Sequence, residues 1–168
     1  MTVTHETIIP PPAFSFLPDR VDTIPRRMAH GIIETHHYLH RAPPGDKFCL
    51  GIFNGMSLMG VMIFGRPVAR NEDQVETLEL TRMFIFDSPK NSESRAIKLA
   101  VNWIKLHHPH VKRLIAYAAC EVHEGTIYKA SNWTALGANR SRRGDWASRE
   151  GRIKDVMGKK YKFERILK

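Results

Sequence analysis

Only two cysteines, Cys49 and Cys120, occur in the 168 residues. Both sit in apolar surroundings, which excludes a disulfide scaffold and points to a reduced setting. No apolar stretch approaches the roughly 20 residues that span a bilayer. The first residues lack a charged segment followed by an apolar core, and Pro10, Pro11 and Pro12 break the little hydrophobicity there is. No secretory leader is therefore expected, and the protein is expected in the cytoplasm. HExxH and CxxC patterns are missing, which removes the common zinc signatures. Internal repeats and low-complexity tracts are missing as well, so solenoids and disordered arrays are excluded.

What is present is an ordinary globular composition with a basic excess. Hydrophobic residues make up 42% and charged residues 26%, enough for a core in a single domain. The net charge is +9, and its distribution is uneven. Arg140 to Lys168 hold 11 Lys or Arg against 4 Asp or Glu, a net of +7. Clustered cations favour a polyanion partner, because they release counterions condensed on phosphates. The plainer alternative is a solvated basic tail that aids solubility. A membrane surface fits less well, since no amphipathic helix accompanies the charge.

The pattern of apolar residues predicts an α/β chain with a mixed sheet. Residues 1–24 read as an irregular, Pro-rich lead-in. A short helix is expected from about Pro25 to Tyr38, then a loop at Ala42–Asp46. Phe48–Phe53 and Met56–Phe64 flank Asn54-Gly55, and Asn-Gly is the strongest two-residue hairpin signal because both positions tolerate positive φ. Gly65–Val75 reads as a polar loop. Thr77–Phe86 reads as a strand, with Leu78, Leu80, Phe84 and Phe86 expected on one face and Arg82 among them. An arginine on an apolar face needs an anion or a cleft, or a salt bridge to Glu79 or Glu76. A helix is expected from Ser92 to about His107, with Ile97, Ala100, Val101 and Ile104 as its buried stripe. His107, His108 and His110 read as a helix-end cluster without catalytic duty. A strand at Arg113–Ala119, a helix at Gly125–Ser131, and strands at Thr134–Asn139 and Tyr161–Leu167 complete the order.

Three places carry candidate chemistry. The turn Asp87-Ser88-Pro89-Lys90-Asn91-Ser92-Glu93-Ser94-Arg95 joins a strand to a helix, where free N–H groups and the helix dipole attract a phosphate. Lys90 and Arg95 add charge, and Ser92 and Ser94 add donors; simple capping by Ser or Asn is the alternative. Tyr128 lies on the short helix, either as core packing or as an acid. Thr35-His36-His37-Tyr38-Leu39-His40 offers three histidines and a tyrosine for a base or a metal, although adjacent histidines need a distant partner to form a site.

Strand, phosphate-type turn, helix, strand, and a helix with Tyr128 four residues before Asn132-Trp133 resemble the GNAT acyltransferase arrangement, whose matching motif is Tyr-x-x-x-Gly-Phe. The turn departs from that family's glycine-rich loop, since no glycine occurs between Asp87 and Ala96. Leu80-Thr81-Arg82-Met83, Pro89-Lys90-Asn91-Ser92-Glu93-Ser94, Ala116-Tyr117-Ala118 and His123-Glu124-Gly125-Thr126-Ile127-Tyr128-Lys129-Ala130 resemble the phage Mom-type proteins over about residues 30–138, together with His37-Tyr38, the hairpin and Phe64-Gly65.

The resemblance implies an α/β GNAT-like domain over residues 25–168, with a basic segment at 140–160. It implies conversion of the adenine N6 amine in DNA to a methylcarbamoyl-type adduct, using an acetyl-CoA-derived group, so that phage DNA is shielded from host restriction enzymes. Tyr128, His37 and Tyr38 are the implied catalytic residues. Arg82, Lys90, Asn91, Ser92, Ser94 and Arg95 are the implied cofactor residues. Iron is a further implied group, with His37, Tyr38 and His123 as ligands. Double-stranded DNA is the implied partner, held by Arg140, Arg142, Arg143, Arg149, Lys159 and Lys160, with Trp133, Trp146 or Tyr38 stacking on a flipped base. A homodimer is left open. Ala119 stands where the Mom-type pattern leads one to expect Asp, so Glu121 or His123 must substitute if that Asp has a role. Two other readings remain: a conventional N-acetyltransferase acting on a protein, RNA or small-molecule amine, and a non-catalytic DNA-binding module.

Overall fold

The computed structural model describes residues 17–119, 125–139 and 159–168. Its elements run β1 (Arg20–Thr23), α1 (Arg26–His36), β2 (Asp46–Asn54), β3 (Ser57–Gly65), β4 (Thr77–Ile85), α2 (Ser92–His107), β5 (Arg113–Ala119), α3 (Thr126–Ala130), β6 (Thr134–Asn139) and β7 (Lys160–Ile166). The strands form one seven-stranded sheet in the order β1-β2-β3-β4-β5-β7-β6. β1 to β4 pair antiparallel, β4 and β5 pair parallel, and β5, β7 and β6 pair antiparallel. The parallel pair needs a crossover, and α2 supplies it.

Both faces of the sheet are covered. α2 buries Ala96, Ile97, Ala100, Val101 and Ile104 against Leu50, Ile52, Met62, Phe64, Leu78, Leu80, Leu114 and Ala116. α1 buries Ala29 and Ile33 against Cys49, Val61 and Ile63 on the other face. The expected hairpin forms, but its turn falls one residue later than Asn54-Gly55: Asn54 pairs with Ser57, so Gly55, at φ 55°, and Met56 make the turn. The helix expected from Ser92 to His107 has those bounds, and β5 runs over Arg113–Ala119.

Two expectations need correction. The lead-in is not irregular throughout, because Arg20–Thr23 form an edge strand on β2, from Arg20 opposite Phe53 to Thr23 opposite Leu50. Nor do Leu78, Leu80, Phe84 and Phe86 share a face. Ile63 pairs with Arg82 while Phe64 pairs with Leu80, so Thr81 is an extra residue in β4. Such a bulge exchanges the faces of the strand beyond it. Leu78 and Leu80 therefore point to α2, whereas Phe84 packs on the α1 cluster and Met83 and Ile85 take the α2 side.

The bulge also marks where the sheet opens. β4–β5 pairing runs from Thr77–Arg113 to Leu80–Ala116. Beyond it β4 continues to Ile85 and β5 to Ala119, so the two strands part in mid-sheet.

Candidate active site at the parting of β4 and β5

Among the described residues, the buried polar side chains are His37, Thr77, Glu79 and Ser92. Burying such groups costs free energy unless partners satisfy them, and three of the four belong to segments that meet around the cleft.

His37 caps the C-terminal end of α1, where its backbone N–H bonds to Ile33 O at 3.0 Å. Its ring stacks on Tyr38 with centroids 4.4 Å apart. Tyr38 is half exposed while His37 is buried. Tyr128 comes from α3 on the far side of the sheet. It is buried, stacked on Phe163 at 5.0 Å and tilted against Trp133 at 5.3 Å. Burial pushes its phenol well above the ordinary range, and the charges of Tyr38 and Glu79 push it further. The three come from separate segments: Tyr38 from the turn after α1, Glu79 from β4 and Tyr128 from α3. Trp133 Nε1 is buried beside Tyr128 with no hydrogen-bond partner among the described residues.

Glu79 is the residue that the sequence reading missed. It was considered only as a salt-bridge partner for Arg82. Its carboxylate is buried one residue before Leu80, where pairing with β5 ends, and accepts a bond from the Val68 N–H at 2.9 Å. Desolvation raises its pKa, and the charges of Lys160 and Arg82 pull it partly back. Tyr117 shares this face and is pushed up to about 12 by burial, then by Glu79 and Glu72. Below them Glu72 binds Arg113 and Lys162, and Arg113 also binds Glu164 at 2.7 Å. The signal in the sequence was the loop at residues 66–76, which folds over β4 and shuts Glu79 away from water.

The phosphate-type turn has an unexpected backbone. Asp87, Ser88 and Asn91 all adopt positive φ, at 51°, 24° and 68°. Glycine would take these conformations without strain, and each non-glycine residue held there costs on the order of 1 kcal/mol. The glycines missing from the sequence are thus replaced in conformation. Asn132 does the same at φ 60°, where the resembling motif has glycine. Asn is the side chain best suited to that region. The capping alternative is not realised at Asn91, which stands at the N-cap position of α2 without a side-chain cap bond. Instead Ser92 Oγ donates to Pro89 O, Ser94 Oγ donates to Asn91 O at 3.1 Å, and Ser88 Oγ donates to Glu93. The Ser92 N–H is taken by Pro89 O at 2.9 Å, and the Glu93 and Ser94 N–H groups are the first-turn donors of α2 that no intrahelical carbonyl reaches.

The remaining sequence candidates fall as follows. Lys90 and Arg95 are exposed at the turn, and Arg95 Nε donates to Pro18 O at 3.2 Å. The Thr81 bulge places Arg82 on the α1 face, apart from the turn, where its guanidinium donates to Arg41 O and Thr81 O. Lys159 is exposed, and Lys160 opens β7 with its charge felt at Glu79. Arg140, Arg142, Arg143, Arg149, Trp146, Glu121 and His123 lie outside the described residues. At the end of α2, His107 stacks on Trp103 at 4.2 Å and His108 lies flat on Phe48 at 4.6 Å, a packed surface cluster remote from the cleft.

An iron site on His37 and Tyr38 does not fit this geometry. His37 Nδ1 accepts the Leu39 N–H at 3.1 Å. A neutral ring that accepts at Nδ1 carries its proton on Nε2 and offers no lone pair there.

The fold with its parted parallel strands is that of the GNAT acetyltransferases. Similar solved structures include the ribosomal-protein-S5-alanine acetyltransferase of Vibrio fischeri, at TM-score 0.60 and 11% identity over 92% of this chain and 97% of that one. The acetyltransferase of Bacillus subtilis in complex with CoA matches at TM-score 0.55 and 12% identity, over 88% and 98%. A GNAT-family acetyltransferase of Streptococcus pneumoniae matches at TM-score 0.51 and 12% identity, over 72% and 66%. Within that class the chain belongs to the Mom protein family, whose model matches residues 19–162. It is 37% identical over 133 residues to the methylcarbamoylase Mom of Escherichia phage Mu, covering 73% of this chain and 55% of that protein. The chain thus spans about half the length of the curated relative it matches.

Among the described residues, no helix is long and apolar enough to cross a membrane.

Proposed function

We propose that this protein is a transferase that modifies the N6 amino group of adenine in DNA, taking its group from acetyl-CoA. The observation that carries the reading is membership of the Mom family in a chain whose β4 and β5 part in mid-sheet, with Glu79 buried one residue before that parting. Residues 25–168 serve as one GNAT-like domain, and the basic segment 140–160 supplies the DNA contacts. The expected setting is the cytoplasm of a phage-infected bacterium, where the mark shields phage DNA from restriction.

The residues fit acetyl-CoA. The start of α2 offers the Glu93 and Ser94 N–H groups to a pyrophosphate, with the exposed Lys90 in the preceding turn. The cofactor supplies an activated acyl group. Tyr128 keeps its proton at every working pH, so its role is that of an acid toward a departing thiolate. Glu79 is a buried carboxyl on β4 one residue before the strands part, and it takes the proton that the amine must lose. The adenine N6 lone pair is delocalised into the ring, so the amine needs such a base. The base must also leave the duplex, at a cost of a few kcal/mol. Tyr38, half exposed and backed by His37, stacks on it. Direct acyl transfer balances with these groups: the C–S bond of the thioester breaks, the N–C bond to N6 forms, the amine proton passes to Glu79 and the thiolate takes its proton from Tyr128.

A second reading is a conventional N-acetyltransferase, favoured by the acetyltransferases that share this fold. Acetyl-labelled CoA offered with duplex DNA, and separately with protein, RNA and small amines, separates the two. Label on deoxyadenosine supports the first reading. Label only on another amine supports the second.

A further inference from the structure

α1 carries Arg26 and His30 one turn apart, so both side chains face the same way. They face the start of β2, where the register slips between Asp46 and Phe48. The slip matters because residues three apart on a regular strand point to opposite faces. With Lys47 as the extra residue, Asp46 and Cys49 come to the same side. His30 Nε2 lies 3.3 Å from Asp46 Oδ1, and Cys49 Sγ lies 3.5 Å from Asp46 Oδ2. All three ligand atoms are within 4.8 Å of one another. His30 Nε2 is buried and makes no hydrogen bond.

The two separations to Asp46, one to each carboxylate oxygen, match edges of a tetrahedral metal site, and the His30 to Cys49 edge lies within 4.8 Å. Zinc bonds of about 2.0–2.2 Å to N and O and about 2.3 Å to S set N···O edges of about 3.3–3.5 Å and S···O edges of about 3.5 Å. A cavity of about 380 Å³ opens beside the group, lined by Arg26, Asp46 and Cys49 among others. We propose that His30, Asp46 and Cys49 form a binding site for a divalent zinc-type ion, distinct from the cleft and clamping α1 to β2. The Arg26 guanidinium now neutralises Asp46 from the open side, with its side chain 60% exposed. Metal entry frees Arg26 to solvent and releases the Cys49 thiol proton. Charge balances, since a divalent cation replaces one guanidinium and one proton. The fourth position is left to water. The clamp fixes the helix whose end carries His37 and Tyr38, and it requires no assumption about the reaction.

The test is titration of the untagged full chain with cobalt(II), followed by absorption. The expected result is a 1:1 thiolate-to-cobalt charge-transfer band that zinc displaces. Cys49→Ser and His30→Gln each lose it, Cys120→Ser keeps it, and Arg26→Gln binds more tightly because a competitor is gone. Zinc should raise the Tm of the wild type but of neither ligand variant. His30→Gln, at a partly exposed helix position, decides the matter if Cys49→Ser folds poorly. Cobalt bound without a thiolate band, or a band that survives Cys49→Ser and His30→Gln, overturns the site and leaves Asp46 as the ion-pair partner of Arg26 alone.

Discussion

The Tyr128 ring lies nearly parallel to Phe163, 24° apart with centroids at 5.0 Å, and Gly125 sits against the same phenylalanine. This stack joins α3 to β7 and fixes the position of the Tyr128 ring. A Cβ on Gly125 would come within 2.1 Å of the Phe163 ring, and its φ of +70° suits glycine.

Gly125→Ala is therefore expected to destabilise the protein by about 3 kcal/mol, from overpacking and left-handed strain together. Urea unfolding measures it. Modification activity should fall by more than the loss of folded protein explains, because Phe163 must shift and carries Tyr128 with it.

Asn91 and Asn132 hold glycine-type backbone. Asn91→Gly and Asn132→Gly are expected to stay within about 1 kcal/mol of wild type, as relief of strain offsets added chain entropy. Asn91→Ala and Asn132→Ala are expected to cost about 1 kcal/mol each, since alanine gains nothing in the left-handed region. Thermal unfolding of the four variants checks the order.

Glu79 gives a pH signature. Burial raises its folded pKa above the unfolded value near 4.5. Below that value both states are protonated, and no penalty arises. As pH rises through the folded pKa the native state must hold a buried charge, so stability falls. Glu79→Gln is expected to be the more stable protein at neutral pH and to lose that advantage in acid. Tm against pH for the two proteins reads this directly. The same variant should lose modification activity, which an advantage in stability alone would not cause.

Most of the architecture was legible because it follows from periodicity and turn chemistry. Asn54-Gly55 signalled the hairpin, whose turn falls one residue later at Gly55-Met56, and the stripe Ile97, Ala100, Val101 and Ile104 marked α2. The Thr81 bulge was not legible, since an extra strand residue leaves no mark in composition, and it misassigned the face of Phe84. β1 escaped because four mostly exposed residues form a strand only through the partner that they pair with. In the cleft, His37, Tyr38 and Tyr128 stood out as residue types. Glu79 did not, because its meaning comes from the loop folded over it rather than from its neighbours in sequence. The cluster of His30, Asp46 and Cys49 depends on the slip at Lys47 and was equally hidden.

If the proposed function holds, the Tyr128 hydroxyl is needed to modify adenine in DNA. Mass spectrometry of nucleosides from cells expressing the protein, beside a Tyr128→Phe control, tests it most directly. Removing the hydroxyl leaves the Phe163 stack in place, so the control should fold. The expected result is a heavier deoxyadenosine that is lost or sharply reduced in the control. Unmodified DNA from cells that hold soluble protein, or equal modification by both proteins, would contradict it.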